Sequence, residues 1–263
     1  MASPLAFDLN GRRALVTGGA QGIGLAITQA LVAHGARVHI CGTNAVALNQ
    51  ASQSLPSITS SVTDITSESQ VTAMFADIAQ HLGGLDILVN NAGIAGPTAS
   101  IEDIHLADWT QCLDVNLTGT FLCTRGAVPG MKQRQHGSIV NIGSVASRLA
   151  FPRRSPYSAS KYGVIGLTET WATELGPHKI RVNAVLPGIV EGPRQDRVLA
   201  ASAHAAGVAE QEMRDRVLQR VSLRSMVSAD DVAAAVVFLC SDAGASITGQ
   251  SLSVDGNVET LVR

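Results

Sequence analysis

Short runs rich in β-branched residues alternate with longer amphipathic stretches along almost the whole chain, and this alternation constrains the fold more than any other feature. Three of the runs are apolar on both faces of the predicted strand, namely LDILVNNAG, GSIVNIGS and IRVNAVLPG. Such strands occur in parallel sheets that helices cover on both sides, because only two covered faces remove that surface from water. The pattern therefore predicts an α/β fold with a doubly wound parallel sheet.

The other predicted elements fit the same alternation. RALVTGG, ARVHIC and GQSLSVDG are further predicted strands, and IGLAITQALVAHG is a predicted helix that ends at Gly35. Residues 67–84 have an apolar face with helical spacing, formed by Val71, Met74, Phe75, Ile78 and Leu82. Ser228 and Asp231 have the spacing of a capping box and predict the start of a late helix.

Length and composition are those of one globular domain. Of the 263 residues, 46% are hydrophobic and 15% are charged, which is enough apolar material for a large core. We therefore expect residues 1–263 to form a single domain. Residues 193–225, polar and rich in arginine, are inserted between the sixth strand and the last long helix. An insertion at this end of a strand is well placed to cover a binding crevice, and a surface excursion without function is the alternative.

Several classes of partner are disfavoured. The net charge of −2 comes without a basic stripe, so neither nucleic acid nor an anionic membrane is expected as a partner. No apolar run approaches the ~20 residues that span a bilayer, and the first residues lack the pattern of a secretory signal. The four cysteines are scattered without a C-x-x-C pair, so we expect buried, reduced thiols in a cytoplasmic protein and no metal site.

A glycine-rich loop, VTGGAQGIG, lies between the first predicted strand and the first predicted helix. Gly18, Gly22 and Gly24 allow the backbone to turn tightly and to approach a ligand where a Cβ atom would clash. The N–H groups at the start of the following helix then point at a phosphate group. Glycines are common in plain turns, but the position of this loop at the first βα junction favours nucleotide binding.

The end of the second strand normally distinguishes the two nicotinamide cofactors. A carboxylate there binds the adenosine ribose hydroxyls of NAD, and a basic residue holds the 2′-phosphate of NADP. This chain has Gly42 and Thr43 at these positions and so has neither signal. The missing carboxylate and the Thr43 hydroxyl favour NADP, whereas the uncharged Gln21 in the glycine loop favours NAD. The choice stays open, with a slight preference for NADP.

Six motifs occur in an order and at separations that resemble the short-chain dehydrogenase/reductase family over essentially the whole chain. They are TGGAQGIG at 17–24, NNAG at 90–93, DVNLTG around Asn116, IVNIGS ending at Ser144, YSASK at 157–161 and PG at 187–188. The resemblance implies a single Rossmann-like domain with a seven-stranded parallel sheet, assembled as a homotetramer. It also implies NAD(P)(H) as cofactor and reversible hydride transfer between a carbonyl compound and a secondary alcohol, including sugar and hydroxy-acid hydroxyls.

The resemblance also assigns site residues. The catalytic set maps onto Asn116, Ser144, Tyr157 and Lys161, and Asp64 matches the position that contacts the adenine ring. The predicted cofactor contacts are Gly18, Gln21, Gly22, Ile23, Gly24, Gly42, Thr43, Asp64, Ile65, Asn91, Ala92, Gly93, Tyr157, Lys161, Pro187, Gly188 and Val190. One position departs from the family pattern, because this chain has Gly192 where the family has a threonine that contacts the nicotinamide amide. Either another hydroxyl replaces that threonine or backbone groups alone hold the carboxamide.

Tyr157 and Lys161 are one helical turn apart, and their chemistry explains this spacing. A free phenol ionises near pH ~10, so a tyrosine that exchanges protons near neutrality needs roughly 4 kcal/mol of extra stabilisation for its phenolate. An exposed ion pair supplies only ~0–1 kcal/mol, whereas a lysine in a dry pocket beside a cationic nicotinamide supplies more. Pro156 fixes the helix start, and the i, i+4 relation puts both side chains on one face.

Ser144 and Asn116 complete the predicted site. Ser144 is expected to donate a hydrogen bond to the substrate oxygen as charge develops there, and Asn116 to hold a water molecule that relays protons to Lys161. The alternatives are a strand-end cap for Ser144 and a polar packing residue for Asn116. The presence of Tyr157 and Lys161 in the same order favours the catalytic roles.

Substrate contacts are expected from four segments, residues 94–97, 145–155, 189–194 and the insertion at 193–225. The individual residues predicted to contact substrate are Ser144, Arg154, Tyr157 and Glu191. Arg148, Arg153 and Arg154 precede the catalytic tyrosine and suit an anionic substrate, and solvated surface arginines are the alternative. With only five phenylalanines, two tyrosines and two tryptophans, an aromatic cleft for a steroid is not indicated.

Two other functional classes are compatible with this fold. A relative without catalysis would act as a nucleotide-responsive binding protein, which the intact Tyr157 and Lys161 disfavour. A non-redox reaction such as epimerisation or dehalogenation often goes with a degraded cofactor site. The intact glycine loop disfavours dehalogenation in particular.

Overall fold

A single sheet organises the chain. The structure, a computed structural model, describes residues 7–259, apart from the side chains of Arg194, Ala201 and Ala205. The strands are β1 (Arg13–Thr17), β2 (Arg37–Gly42), β3 (Thr59–Val62), β4 (Ile87–Asn90), β5 (Gly137–Ile142), β6 (Ile180–Pro187) and β7 (Ser251–Val254). All seven lie in one sheet in the order β3-β2-β1-β4-β5-β6-β7, and every neighbouring pair is parallel. The predicted doubly wound α/β fold is confirmed.

Helices connect the strands. Those in the described residues are α1 (Gly22–Ala33), α2 (Ala45–Ser54), α3 (Glu68–Leu82), α4 (Leu106–Leu113), α5 (Gly119–Arg134), α6 (Ser155–Leu175), α7 (Pro193–Ala206), α8 (Glu210–Leu218) and α9 (Ala229–Cys240). The polar insertion thus contains α7 and α8. The predicted capping box of α9 is confirmed, with reciprocal backbone and side-chain hydrogen bonds between Ser228 and Asp231. Between residues 7 and 259, no helix combines the length and apolar character needed to cross a bilayer.

Two hydrophobic layers cover the sheet, one on each face. Along β1, Ala14 and Val16 belong to one layer and Leu15 to the other, as the two-residue period of a strand requires. The first layer includes α1 and α9, and the second includes α3, α5 and the end of α6. The strand order reverses between β1 and β4. The carboxyl ends of the strands at this point form the crevice in which α/β proteins of this type bind ligands.

His39 is buried in β2 and gives the fold a predictable dependence on pH. Its ring nitrogens lie 2.8 Å from the Thr59 hydroxyl and 3.0 Å from the Ser61 hydroxyl. Burial lowers the pKa of His39 from 6.5 to about 4, so the unfolded chain binds more protons between these two pH values. We therefore expect the free energy of unfolding to fall by about 3 kcal/mol from this group as the pH drops from neutrality to about 4.

Urea unfolding of the wild type and of His39→Gln at both pH values measures this effect. Glutamine keeps a hydrogen-bond donor and acceptor but does not titrate, so the variant should lose less stability over the same interval. The pKa of His136 is also lowered by burial, but its contribution is present in both proteins and cancels. Equal losses in the two proteins would contradict the assignment to His39.

Candidate active site

Four strand ends line the crevice. The glycine loop follows β1, Asn91–Gly93 follow β4, Ser144 follows β5, and Gly188 follows β6. Gly42 and Thr43, at the end of β2, are three strand positions from β5, which corresponds to about 14 Å at ~4.8 Å per strand. A crevice of this width suits an elongated dinucleotide whose two ends lie at different strands.

Close backbone approach requires glycine in the loop after β1. Gly18 and Gly22 have positive φ angles of 62° and 52°, which favour glycine. A Cβ atom on Gly24 would lie 2.1 Å from the Gly18 carbonyl oxygen and 2.5 Å from Asn91 Nδ2. Within this described segment, the side chain of Gln21, which precedes α1, makes no capping hydrogen bond. The N–H groups of the first turn of α1 can therefore bind an anion such as a phosphate.

Thr17 and Asn91 hold the glycine loop against the end of β4. Asn91 Nδ2 donates hydrogen bonds of 2.9 Å to the Thr17 carbonyl and 3.2 Å to the Gly18 carbonyl. The Thr17 hydroxyl accepts bonds of 3.0 Å from the N–H groups of both Asn91 and Ala92. The side chain of Asn91, a predicted cofactor contact, thus holds the glycine loop in place.

Asp64, the predicted adenine contact, and Ile65, another predicted cofactor contact, follow β3. Asp64 Oδ1 accepts hydrogen bonds from the Thr66 N–H at 2.9 Å and the Thr66 hydroxyl at 2.8 Å, which fix the carboxylate. Ile65 is buried, and Gly119 makes room for it, since a Cβ atom on Gly119 would lie 2.5 Å from Ile65 Cδ1. Asp64 is half-buried with its carboxylate held in place, whereas the side chain of Ile65 belongs to the hydrophobic layer of α3 and α5.

The end of β2 is open to solvent. The Gly42 carbonyl accepts a 2.9 Å hydrogen bond from the Thr63 N–H, which ties β2 to the segment after β3. Thr43 and Gln21 are exposed, and Ile23 is half-buried against the hydrophobic layer of α1 and α9. The Thr43 hydroxyl is accessible to a ligand, as its predicted role requires.

Tyr157 and Lys161 lie on one face of α6, as their spacing predicts. Lys161 is only 6% exposed, and its Nζ lies 5.8 Å from the centre of the Tyr157 ring. Nζ donates a 2.8 Å hydrogen bond to the carbonyl of Ile142, the last residue of β5. Dry surroundings strengthen the interaction of the ammonium group with the phenol. The pair places a buried cation beside a phenol at the end of β5.

Asn116 is buried in a π-helical turn, Asp114–Thr118, which separates α4 from α5. Its Oδ1 accepts a 2.8 Å bond from the Ile94 N–H, and its Nδ2 donates 3.0 Å bonds to the Ile94 carbonyl and the Ser160 hydroxyl. A Cβ atom on Gly93 would lie 3.0 Å from Asn116 Oδ1 and 3.7 Å from Lys161 Nζ. Asn116 and Lys161 therefore converge on the Gly93 backbone, and π-turns of this kind are frequent at functional sites.

Ser144 lies two residues beyond β5 and is 7% exposed. Its Oγ accepts a 3.1 Å hydrogen bond from the Ala146 N–H and caps the short 3₁₀ helix Val145–Ser147. This is the capping role that the sequence offers as the alternative to catalysis. A hydroxyl that accepts one bond retains its own proton, so Ser144 can cap this turn and still donate to a substrate oxygen.

The backbone after β6 explains the departure at Gly192. The Gly188 N–H donates to the Val254 carbonyl and the Glu191 N–H to the Val227 carbonyl, both at 2.9 Å, and these bonds fix residues 187–191. Gly192 precedes α7 with a φ angle of 131°, a conformation that threonine rarely adopts. Of the two alternatives for the carboxamide, this path favours contacts through the backbone.

Ser160 belongs to this cluster, although it is not among the predicted site residues. It is fully buried, accepts the 3.0 Å bond from Asn116, and donates a 2.7 Å bond to the Tyr157 carbonyl. Ser160 is three residues after Tyr157 and therefore lies near the same face of α6. This spacing is the feature of the sequence that could have identified it. Ser160 links the π-turn to α6.

The predicted state of the cysteines is confirmed, because all four are free and buried. Burial raises the pKa of Cys41 and of Cys240 to about 12, and it also raises the pKa of Cys112. These thiols therefore stay protonated near neutrality. In residues 7–259, no three His, Cys, Asp or Glu side chains are arranged to hold a metal ion.

Comparison with known proteins gives matches along nearly the whole chain. A family model described as enoyl-(acyl carrier protein) reductase matches residues 18–258. The 3-oxoacyl-(acyl-carrier-protein) reductase of Thermotoga maritima is 35% identical over 254 residues, covering 95% of this chain and 98% of the relative. The D-beta-hydroxybutyrate dehydrogenase of Rhizobium meliloti is 34% identical over 252 residues, covering 93% and 97%.

Solved structures agree with the sequence matches. A crystal structure of NAD+-bound xylitol dehydrogenase superposes with a TM-score of 0.89 at 30% identity, covering 94% of this chain and 98% of that one. The named relatives are dehydrogenases and reductases that act on hydroxyl and carbonyl groups. On the family match and these whole-length similarities, the chain belongs to the short-chain dehydrogenase/reductase family of NAD(P)-dependent oxidoreductases.

Proposed function

We propose that this enzyme interconverts a secondary alcohol, such as a hydroxy-acid or sugar hydroxyl, and the matching ketone, with Tyr157 as the acid/base. The observation that carries the proposal is the buried ammonium of Lys161, 5.8 Å from the centre of the Tyr157 ring. A cation in dry surroundings stabilises a phenolate more than a neutral phenol. Tyr157 is therefore the group that we assign to proton exchange with the substrate.

A nicotinamide dinucleotide fits the crevice. Gly18, Gly22 and Gly24 would hold its pyrophosphate, because a Cβ at Gly24 would meet the loop backbone and α1 presents its N-terminal N–H groups. Asp64 would contact the adenine ring. Lys161 would contact the opposite end of the dinucleotide, which carries the nicotinamide and would lie at the end of β5. When bound, the nicotinamide supplies the donor or acceptor of the hydride.

Ser144 and Asn116 have different proposed roles beside Tyr157. Ser144 would donate a hydrogen bond to the substrate oxygen, and this bond strengthens as negative charge develops there. The Asn116 side chain fixes the backbone of Ile94 through two hydrogen bonds, one accepted by Oδ1 and one donated by Nδ2. A relay water next to Asn116 remains a prediction, supported by the convergence of Asn116 and Lys161 on Gly93.

The substrates named for relatives define a test panel. Relatives include a D-beta-hydroxybutyrate dehydrogenase, a gluconate 5-dehydrogenase and a xylitol dehydrogenase, whose substrates share a secondary hydroxyl. We expect a rise in reduced-nicotinamide absorbance when the enzyme is mixed with oxidised cofactor and at least one of 3-hydroxybutyrate, gluconate or xylitol. A flat trace with both cofactors, all panel alcohols and their ketones would contradict this activity and favour a nucleotide-responsive binding protein.

NADP(H) is proposed as the preferred cofactor. Support comes from the exposed Thr43 hydroxyl at the end of β2, where Gly42 brings no carboxylate to repel a 2′-phosphate. Fluorescence titration with NADPH and NADH should give a lower Kd for NADPH. A lower Kd for NADH would reverse the cofactor assignment without affecting the reaction class.

Three further properties are proposals of the same kind. A homotetramer is supported by exposed apolar side chains on α6 and on the edge strand β7, where Tyr162 is 49% and Leu252 is 38% exposed. Light scattering tests it, and a monomeric mass would contradict it.

We also propose that residues 1–263 are one cytoplasmic domain. The segment 193–225 would cover the substrate end of the crevice, because α7 begins just after residues 187–191.

A further inference from the structure

We propose that Arg154 is a positioning residue for Tyr157, which holds the phenol ring in the crevice and places a second cation beside it. The inference rests on the proposed function, in which Tyr157 exchanges the substrate proton. From the sequence, Arg154 is expected either to contact an anionic substrate or to be a solvated surface residue. Its surroundings support a third role.

Arg154 lies between two aromatic rings. Its guanidinium carbon is 5.4 Å from the centre of the Tyr157 ring and 5.2 Å from the centre of the Phe151 ring. Its Nη2 donates a 2.7 Å hydrogen bond to the Ala95 carbonyl, in the loop after β4. The guanidinium therefore contacts three segments of the site, and this use of its plane and its donors is that of an ordered side chain.

The backbone around Arg154 is also fixed. The Arg154 carbonyl accepts a 2.9 Å hydrogen bond from the Ser158 N–H in the first turn of α6, and the Arg153 carbonyl accepts a 3.0 Å bond from the Ala99 N–H. Backbone and side chain together tie residues 95–99 to the start of the helix that carries Tyr157. Loss of the guanidinium removes the hydrogen bond to the Ala95 carbonyl. It also removes the contact between the guanidinium and the Tyr157 ring.

Two cations then act on one phenol. Lys161 Nζ lies 5.8 Å and the Arg154 guanidinium carbon 5.4 Å from the Tyr157 ring centre. From α4, Cys112 faces both cations, and because burial raises the pKa of its thiol it adds no negative charge. A guanidinium remains charged at every pH at which the enzyme operates, so it favours the phenolate throughout.

Absorbance of the phenolate band in the near ultraviolet tests this directly, without cofactor or substrate. The chain has only two tyrosines, so in a Tyr162→Phe background the band reports Tyr157 alone. Replacing Arg154 with methionine, which has similar length but no charge, should raise the pH of half-ionisation, because a cation is removed from beside the ring. The acid limb of the kcat/KM profile for alcohol oxidation should move the same way. Arg154→Lys should restore the ionisation midpoint but only part of kcat, because lysine lacks the planar group.

Arg153→Met is the matched control, since it removes the neighbouring charge from an exposed side chain and should leave the midpoint unchanged. If Arg154→Met does not fold by circular dichroism, Arg154→Gln replaces it as the neutral variant. An unchanged midpoint together with a higher KM for acidic alcohols alone would identify Arg154 as a substrate contact and overturn the proposal. If the wild type oxidises no alcohol, the proposed function fails, whereas the absorbance titration still decides the effect of Arg154 on Tyr157.

Discussion

Replacing Tyr157 with phenylalanine is expected to lower kcat by roughly 10³-fold, in the range that general acid/base catalysis supplies. The variant keeps the ring, and therefore keeps its packing against Arg154 and Lys161. It loses only the hydroxyl that exchanges the proton. Steady-state kinetics with the best panel substrate measures the rate, and fluorescence titration should show that the variant still binds the reduced cofactor within about two-fold of the wild type.

Tyr162→Phe is the matched control for this variant. Tyr162 is in the same helix but is 49% exposed and outside the cluster around Lys161, so removal of its hydroxyl should leave kcat nearly unchanged. A Tyr157→Phe enzyme that retained more than about a tenth of wild-type kcat would exclude Tyr157 as the acid/base.

Gly24→Ala is expected to have the second large effect, on cofactor binding. The added Cβ would lie 2.1 Å from the Gly18 carbonyl oxygen and 2.5 Å from Asn91 Nδ2, so the loop and the end of β4 must separate. Overpacking of this kind costs about 1–3 kcal/mol. Because the displaced groups belong to the loop that would bind the cofactor phosphates, we expect the Kd for the preferred cofactor to rise by about 100-fold.

Two other glycines provide graded controls. Gly22 has open space for a Cβ atom but a φ angle of 52°, so Gly22→Ala should show a smaller loss that reflects backbone strain alone. Gly166 lies within α6 with open space around it, and Gly166→Ala should raise the free energy of unfolding by about 1 kcal/mol through helix propensity. Wild-type cofactor affinity in Gly24→Ala would contradict a phosphate site at this loop.

Local periodicity was sufficient to predict much of this structure. The fold class follows from strands that are apolar on both faces, and the side-by-side placement of Tyr157 and Lys161 follows from the turn of a helix. The requirement for a cation in dry surroundings also predicts that Lys161 is buried, and Lys161 is 6% exposed.

Other features depend on contacts between distant segments and have no local signal. Arg154 reaches Ala95 across 59 positions of sequence, and the π-turn that directs Asn116 toward Ile94 has no distinguishing pattern in DVNLTG. The φ angle of Gly192 depends on the pairing of residues 187–191 with the segments that contain Val227 and Val254. Substrate identity also has no local signal, because the loops after three separate strands are the segments predicted to contact the substrate.

Deuterium transfer is the most direct test of hydride exchange at this site. The enzyme is incubated with reduced cofactor deuterated at C4 of the nicotinamide and with the ketone of the best panel substrate, and the product alcohol is analysed by mass spectrometry. We predict one deuterium on the carbinol carbon of the alcohol formed by the wild type. Product that carries no deuterium from a cofactor labelled on either face of C4 would contradict hydride transfer by this enzyme.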